Sequence, residues 1–373
     1  MSKSTPVRLL LPLALLFALA QAAAAQAPAD ARRALSSLPD SQAVLYVNAR
    51  RIVNEVMPRV MPPADYQKML ADARKFGFDV RGIESIAVGA RLADPPPANY
   101  LPEFVVVLRG NFNADTLLAL GRIAADSQNV KPRSETYGSK TIEILDLTSL
   151  GAKPPADGGM TEKPKPSPYP EIAVMALDAN TLVAGVPSYV KAVVDAAGGR
   201  GALKTSMVDV AARDPQALWS LTVEMPPNLV DLIHKTGMPA NAEADQMIGW
   251  VRQVSLSQGM DALNYSLSAA VMTDAPEHAS AFSGLVRMGL LAAQTALNSA
   301  AAKQTPKHKD YAKTRTALGV LKTFVNRTEG NTLILSASAP QKELAAIFKQ
   351  EFPSKPAAKA APRTGRRGRA RRR

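Results

Sequence analysis

The chain has 373 residues, no cysteine and a formal net charge of +13. The missing thiol excludes disulfides, thiolate metal sites, iron–sulfur clusters and cysteine nucleophiles, so stability must rest on packed cores, which a body of about two domains can build without covalent staples. The charge is not spread over that body: residues 354–373 hold nine basic side chains and no acidic one, the first 25 residues hold Lys3 and Arg8, and what lies between carries +2.

In chain order, Lys3 and Arg8 precede or flank an apolar run, Leu9 to Ala20, and Ala22–Ala25 follow. Positive start, apolar middle and small-residue end predict a secretory signal peptide cleaved near Ala25. The run falls short of the roughly 20 residues of a membrane span. The expected mature protein is exported, periplasmic or secreted, with no transmembrane span. Residues 26–37 read as a polar, Ala-rich lead-in.

A first α+β domain is predicted over 38–200. It opens at Leu38-Pro39-Asp40, with a buried strand at Ala43–Val47, helical stretches through Ile52–Val56 and 64–76, and strands at Ile83–Leu92 and Phe104–Leu108. Asn113 caps a helix whose apolar face is Leu117, Leu120, Ile123 and Ala124. Residues 136–147 read as one strand. Residues 149–170, rich in Pro, Gly and Lys, read as a disordered insertion. A hairpin, Ile172–Leu177 and Thr181–Val186, and a helix Ser188–Ala197 ending at Gly198-Gly199 complete the unit. The second domain, 201–353, repeats the order: strand Ala217–Glu224, helix Leu229–His234, strands Val254–Ser257 and Tyr265–Met272, and a helix over 277–300 with apolar positions Phe282, Leu285, Met288, Leu291 and Leu297. Residues 306–319 are also read as helical. A hairpin Leu321–Arg327 and Thr332–Ala337 and a helix Gln341–Phe352 close it. Asn180-Thr181-Leu182 and Asn331-Thr332-Leu333 occupy matching places. The predicted fold is therefore α+β, two similar β-α-β-β-α-β-β-α units with mainly antiparallel sheets, arising by internal duplication.

Leu38-Pro39-Asp40 followed by Val44-Leu45-Tyr46-Val47-Asn48, with the two Asn-Thr-Leu hairpins, resembles exported bacterial proteins of unknown function built from repeated α+β units. The resemblance implies the fold and the export. It implies no activity and carries over no site residue.

Chemistry-bearing patterns are few. Ser188-Tyr189-Val190-Lys191 with Lys235-Thr236-Gly237 has the letters of a serine penicillin-binding site, but the lysine triplet ends a predicted helix and the spacing is too short. His234, His278 and His308 have no metal-ligand spacing. Gly198-Gly199-Arg200-Gly201 follows a helix and cannot cradle a phosphate at a helix start. No catalytic, cofactor or metal residue is assigned. The one candidate is the tail: Arg363, Arg366, Arg367, Arg369, Arg371, Arg372 and Arg373 form a flexible cluster suited to an anionic envelope surface or an acidic envelope protein. It lacks interleaved aromatics for base stacking, and export separates it from nucleic acid. The expected function is non-enzymatic binding or scaffolding in the envelope, with an exported hydrolase using Ser188 and Lys191 as the alternative.

Overall fold

The computed structural model describes residues 29–75, 77–92, 102–127, 130, 132–148, 168–235, 239–305 and 311–343. The segment read as a signal peptide, most of the 149–170 insertion, Thr236, Gly237, His308, most of the last predicted helix and the arginine tail lie outside them.

The first half begins with a helix over residues 29–35 (α1) and β1 (Ala43–Val47). Helical chain follows as α2 (Ala49–Arg51), a π-helical turn Ile52–Val56, α3 (Met57–Val60) and α4 (Pro63–Lys75). Then come β2 (Ile83–Arg91), β3 (Glu103–Gly110), α5 (Ala114–Ser127), β4 (Arg133–Tyr137), β5 (Lys140–Asp146), β6 (Glu171–Asp178), β7 (Thr181–Gly185), α6 (Pro187–Ala197) and α7 (Thr205–Ala211). The second half holds β8 (Ala217–Glu224), α8 (Leu229–Lys235), α9 (Ala242–Trp250), β9 (Val251–Met260), β10 (Asn264–Thr273), α10 (Pro276–Lys303), α11 (Tyr311–Lys322), β11 (Val325–Glu329) and β12 (Thr332–Pro340).

The fold is α+β, as the sequence predicts, and the strands form one antiparallel sheet in the order β11-β12-β10-β9-β8-β1-β2-β3-β7-β6-β5-β4. The halves meet where β1 pairs with β8. Outward from that seam the order is β8-β9-β10-β12-β11 on one side and β1-β2-β3-β7-β6 on the other, with β5 and β4 added beyond β6.

Cross-strand partners share a face, so the registers divide the sheet into two. Val44 and Tyr46 of β1, Ala87 of β2, Val105 and Val107 of β3 and Val183 of β7 face one way and are buried with Ala31, Ala34 and Leu35 of α1, Tyr189, Val190 and Val193 of α6, and Met207 of α7. The segment expected as a polar lead-in is thus a helix whose apolar side, Ala31, Ala34 and Leu35 at i, i+3, i+4, completes the core. Tyr189 closes this layer. Its hydroxyl donates to the Asp40 carbonyl at 2.7 Å and lies 2.5 Å from the Ser41 hydroxyl, and burial pushes its pKa up to about 12.

Several elements differ from their sequence reading. Residues 136–147 are not one strand but the end of β4, a turn and β5, because Gly138 takes φ 59° and folds β5 back on β4. Helical chain passes Pro58: the turn before it is π-helical, and the Val53 carbonyl there accepts from the Tyr66 hydroxyl at 3.2 Å, so the missing proline N–H is accommodated without a break. Helices α7 and α9 carry no strong periodicity and are additional. Leu321 belongs to α11, and the last hairpin begins at Val325.

Truncating Leu35 tests the docking of α1. Leu35→Ala is expected to cost about 2–5 kcal/mol in urea unfolding of a chain starting at residue 26. A cost within the range of an exposed substitution would place α1 outside the core.

Candidate functional site

The second face of the sheet is built differently. One row can be followed through all the strands: Ser134, Glu143, Val174, Ala184, Val106, Val88, Leu45, Leu221, Leu256, Ala269, Leu335 and Asn326. Its ends are polar and everything from Val174 to Leu335 is apolar. None of those nine apolar side chains is fully buried. The neighbouring row is similar, with Leu182, Leu108, Ile86, Val47 and Trp219 in register and all half-buried.

Two helices stand at the ends of this face, each joined to it by a polar contact. On α5, Arg122 reaches the buried Glu143 carboxylate at 2.6 Å, and Ser134 donates to the same carboxylate at 2.9 Å. On α10, the Ser283 hydroxyl donates to the Asn326 side-chain oxygen at 2.8 Å, and the Asn326 amide donates to the Ser283 carbonyl at 2.9 Å. The start of α10 is anchored further. His278 stacks on Trp250 at 3.9 Å between centroids and is 2.6 Å from Asp274, and Phe282 meets Trp250 edge-on. Hydrogen bonding to His278 holds the Asp274 carboxyl below its usual range.

Small residues, Ala279 and Ser283, take the positions of α10 buried against the sheet. Of the five apolar positions that the sequence offers as its face, Phe282 and Leu297 are half-buried and the three between them turn outward: Leu285 is 45% exposed, Met288 61% and Leu291 60%. From Ala279 to Ala302 the only charged residue is Arg287. A helix apolar on more than one side is normally buried; this one is not. Helix α5 repeats the pattern, with Ile123 66% exposed. Beyond α10 the charge turns basic: from Lys303 to Lys322 the sequence has six Lys or Arg and one acid, Asp310. Among the described residues no helix is long and apolar enough to cross a membrane.

The catalytic candidates are not assembled. Ser188, in the first turn of α6, donates to Glu103 at 2.5 Å, and Lys191 pairs with Glu135 at 2.5 Å. No hydrogen bond links the serine to the lysine, so the lysine is not positioned as its base. His234 contacts Asp245 at 3.1 Å, apart from His278. Among the described residues no three His, Asp or Glu side chains are grouped to hold a metal ion. Sequence reading missed the outward placement of Leu285, Met288 and Leu291. The available signal was the second apolar row on the same helix, Val286 and Leu290, which spacing from Ala279 and Ser283 puts inward.

No protein-family model matches the chain, and no curated protein matches it. Among solved structures, crystal forms III, IV and I of TP0453 align with 84% of this chain and with 96%, 95% and 95% of their own, at 9%, 11% and 10% identity and TM-scores of 0.40, 0.39 and 0.37. At that depth the overlap carries no argument about this protein.

Ser188 has a structural role that can be measured. Burial raises the Glu103 pKa, but hydrogen bonds from Ser188 and Arg91 outweigh it and hold the carboxyl below its usual value. A depressed carboxyl stabilises the fold above its unfolded pKa, and that contribution is lost as pH falls through the folded value. In Ser188→Ala, carbon-detected NMR should find Glu103 titrating at higher pH. The stability gap from the parent should be open at neutral pH and close below the carboxylate range. An unmoved Glu103 titration would remove this role.

Proposed function

We propose that this is an exported, non-catalytic envelope protein that binds anionic membrane surfaces peripherally. The outward apolar row of α10 enters the lipid interface and the arginine tail neutralises headgroups. The observation that carries the reading is the exposure of Leu285, Met288 and Leu291 on a helix that also has an inward apolar side. Fully burying a side chain of this size is worth about 1.5–3 kcal/mol, so leaving three in water is costly unless something covers them. Lipid is favoured as the cover by the basic stretch from Lys303 to Lys322 and by the tail from Arg363 to Arg373, since interfacial helices combine an apolar face with flanking Lys and Arg. The half-buried apolar rows between α5 and α10 supply a second surface for acyl chains. On this reading the two halves are copies of one ancestral unit, divided near residue 200, and the matching strand order outward from the seam supports the duplication.

The test is co-sedimentation of the mature protein with phosphatidylglycerol vesicles, with phosphatidylcholine as the neutral control. Binding is expected to the anionic vesicles. It should weaken at least about tenfold in Leu285→Ser/Met288→Ser/Leu291→Ser and become less salt-sensitive when residues 354–373 are removed. Equal binding by the triple variant would overturn the reading. So would a dimer in vesicle-free buffer that the triple variant dissolves, since the row would then be a self-association face.

A further inference from the structure

At one end of the first half lies an open cleft of about 550 Å³. Four arginines from four separate elements line it: Arg33 of α1, Arg50 of α2, Arg81 of the turn Val80–Gly82, and Arg109 at the end of β3. Arg109 continues the alternation Val105, Val107 and so projects on the helix-covered face, beneath α1. The lining contains one carboxylate, Glu84, which pairs with Arg50. Arg81 is held by Asp79. Arg33 and Arg109 have no ion-pair partner among the described residues. Counting Asp79, the cleft has a surplus of two positive charges.

The backbone beneath the guanidinium groups is packed to its limit. A Cβ on Gly110 would meet the Gly82 carbonyl oxygen at 2.5 Å and Ile83 Cα at 2.9 Å, and one on Gly82 would meet the Asn111 carbonyl oxygen at 3.0 Å. The amides of Gly82, Gly110 and Asn111 are all committed to backbone carbonyls. The floor is therefore rigid and already satisfied, and binding capacity resides in the arginine side chains. Guanidinium groups present planar pairs of N–H donors that match phosphate and carboxylate oxygens. Two unpaired arginines and a surplus of two charges suit a dianion better than a monocarboxylate. The volume is in the range of small-molecule sites, but the wall is polar where such sites are mostly apolar, so charge is what it selects.

We propose that this cleft is a binding site for a phosphomonoester dianion, held between Arg33 and Arg109 with Arg50 and Arg81 at its edges. The phosphate could be carried by a soluble metabolite or by a lipid headgroup. The probes are inorganic phosphate and glycerol 3-phosphate, titrated calorimetrically into the mature protein at constant ionic strength, with acetate as the monoanionic control. Saturable binding of both phosphates is expected, and weaker or no binding of acetate. Arg33→Gln and Arg109→Gln should each weaken phosphate binding about tenfold or more, the usual effect of losing a charge-assisted hydrogen bond. Arg327→Gln, outside the cleft and exposed, should bind as the parent does. Arg33 is exposed on its helix, so its variant is expected to fold, and an unchanged circular dichroism spectrum checks this. Absence of saturable binding, or equal binding by both cleft variants, overturns the proposal.

Vesicles containing phosphatidic acid separate the two sources. If Arg33→Gln and Arg109→Gln lower vesicle binding in parallel with glycerol 3-phosphate binding, the ligand is a headgroup. If they lower only the latter, it is soluble. The Leu285/Met288/Leu291 triple variant should retain phosphate binding, so failure at the cleft and failure at α10 are read independently.

Discussion

The pairing of β1 with β8 is the constraint on which the rest depends. β1 has five residues, and each is paired on both sides, Leu45 with Val88 and with Leu221, Tyr46 with Ala87 and with Ser220. Without that seam each half would end in an open strand edge with unpaired N–H and C=O groups. Contacts beyond the strand lock both ends: the Asn48 amide donates to the Leu218 carbonyl, and the Glu224 amide to the Gln42 carbonyl. Arg51 then crosses from the first half to the second and donates to the carbonyls of Gln216 and Met260, each at 2.7 Å. A single sheet forces every side chain onto one of two continuous faces, and the difference between those faces gives the molecule its character.

On one face the first half packs three helices against Val44, Tyr46, Val105, Val107 and Val183, and the layer is dry enough to raise the Tyr46 hydroxyl to about 12, chiefly by burial. On the other, helices touch the sheet near its ends and leave apolar rows half-covered between them. The edges of the same sheet are guarded: β4 carries Arg133 and Glu135, and β11 carries Arg327 and Glu329, the charges that discourage strand addition. Six of the exposed large apolar side chains, Leu120, Ile123, Leu267, Leu285, Met288 and Leu291, lie on this face or on the helices over it, while Val60, Leu263 and Val325 lie elsewhere; a concentration of this kind marks an interaction surface.

What was legible in the sequence was what local pattern encodes. The β-branched run Phe104–Leu108, the hairpin turned at Asp178-Ala179-Asn180 and the Gly198-Gly199 stop after α6 all announce themselves through propensity and turn chemistry. Strand β10 matches its reading, Tyr265–Met272, to within one residue at each end, but β9 runs well beyond Val254–Ser257, because Arg252, Gln253, Gln258 and Gly259 carry no strand signal of their own and are held by pairing with β8 and β10. The seam has no local signature at all: Leu45 and Leu221 meet only because of global topology. The same holds for the arginine cleft, whose four members come from α1, α2, a turn and a strand end. The orientation of α10 fell between these cases. Its periodicity was visible, but two apolar sides compete for the sheet, and small residues won because Ala279 and Ser283 let the helix sit close enough for Ser283 to bond Asn326.

Charge and apolar surface have different ranges, and the proposed reading uses that difference. Attraction of the tail to an anionic surface acts over roughly a Debye length, ~8 Å at physiological salt, and each basic residue contributes about 1 kcal/mol near such a surface. That suffices to concentrate the protein but remains reversible and salt-dependent. Burial of Leu285, Met288 and Leu291 acts only at contact and is insensitive to salt. A tail without the row would give a loose cloud near the surface. A row without the tail would have to find lipid by unguided collision, while free to associate with other apolar surfaces. The near-neutral body follows from the same division: with charge kept at the chain end and beside α10, the apolar face can approach a surface without carrying unpaired charges into it, a desolvation cost that would cancel the gain.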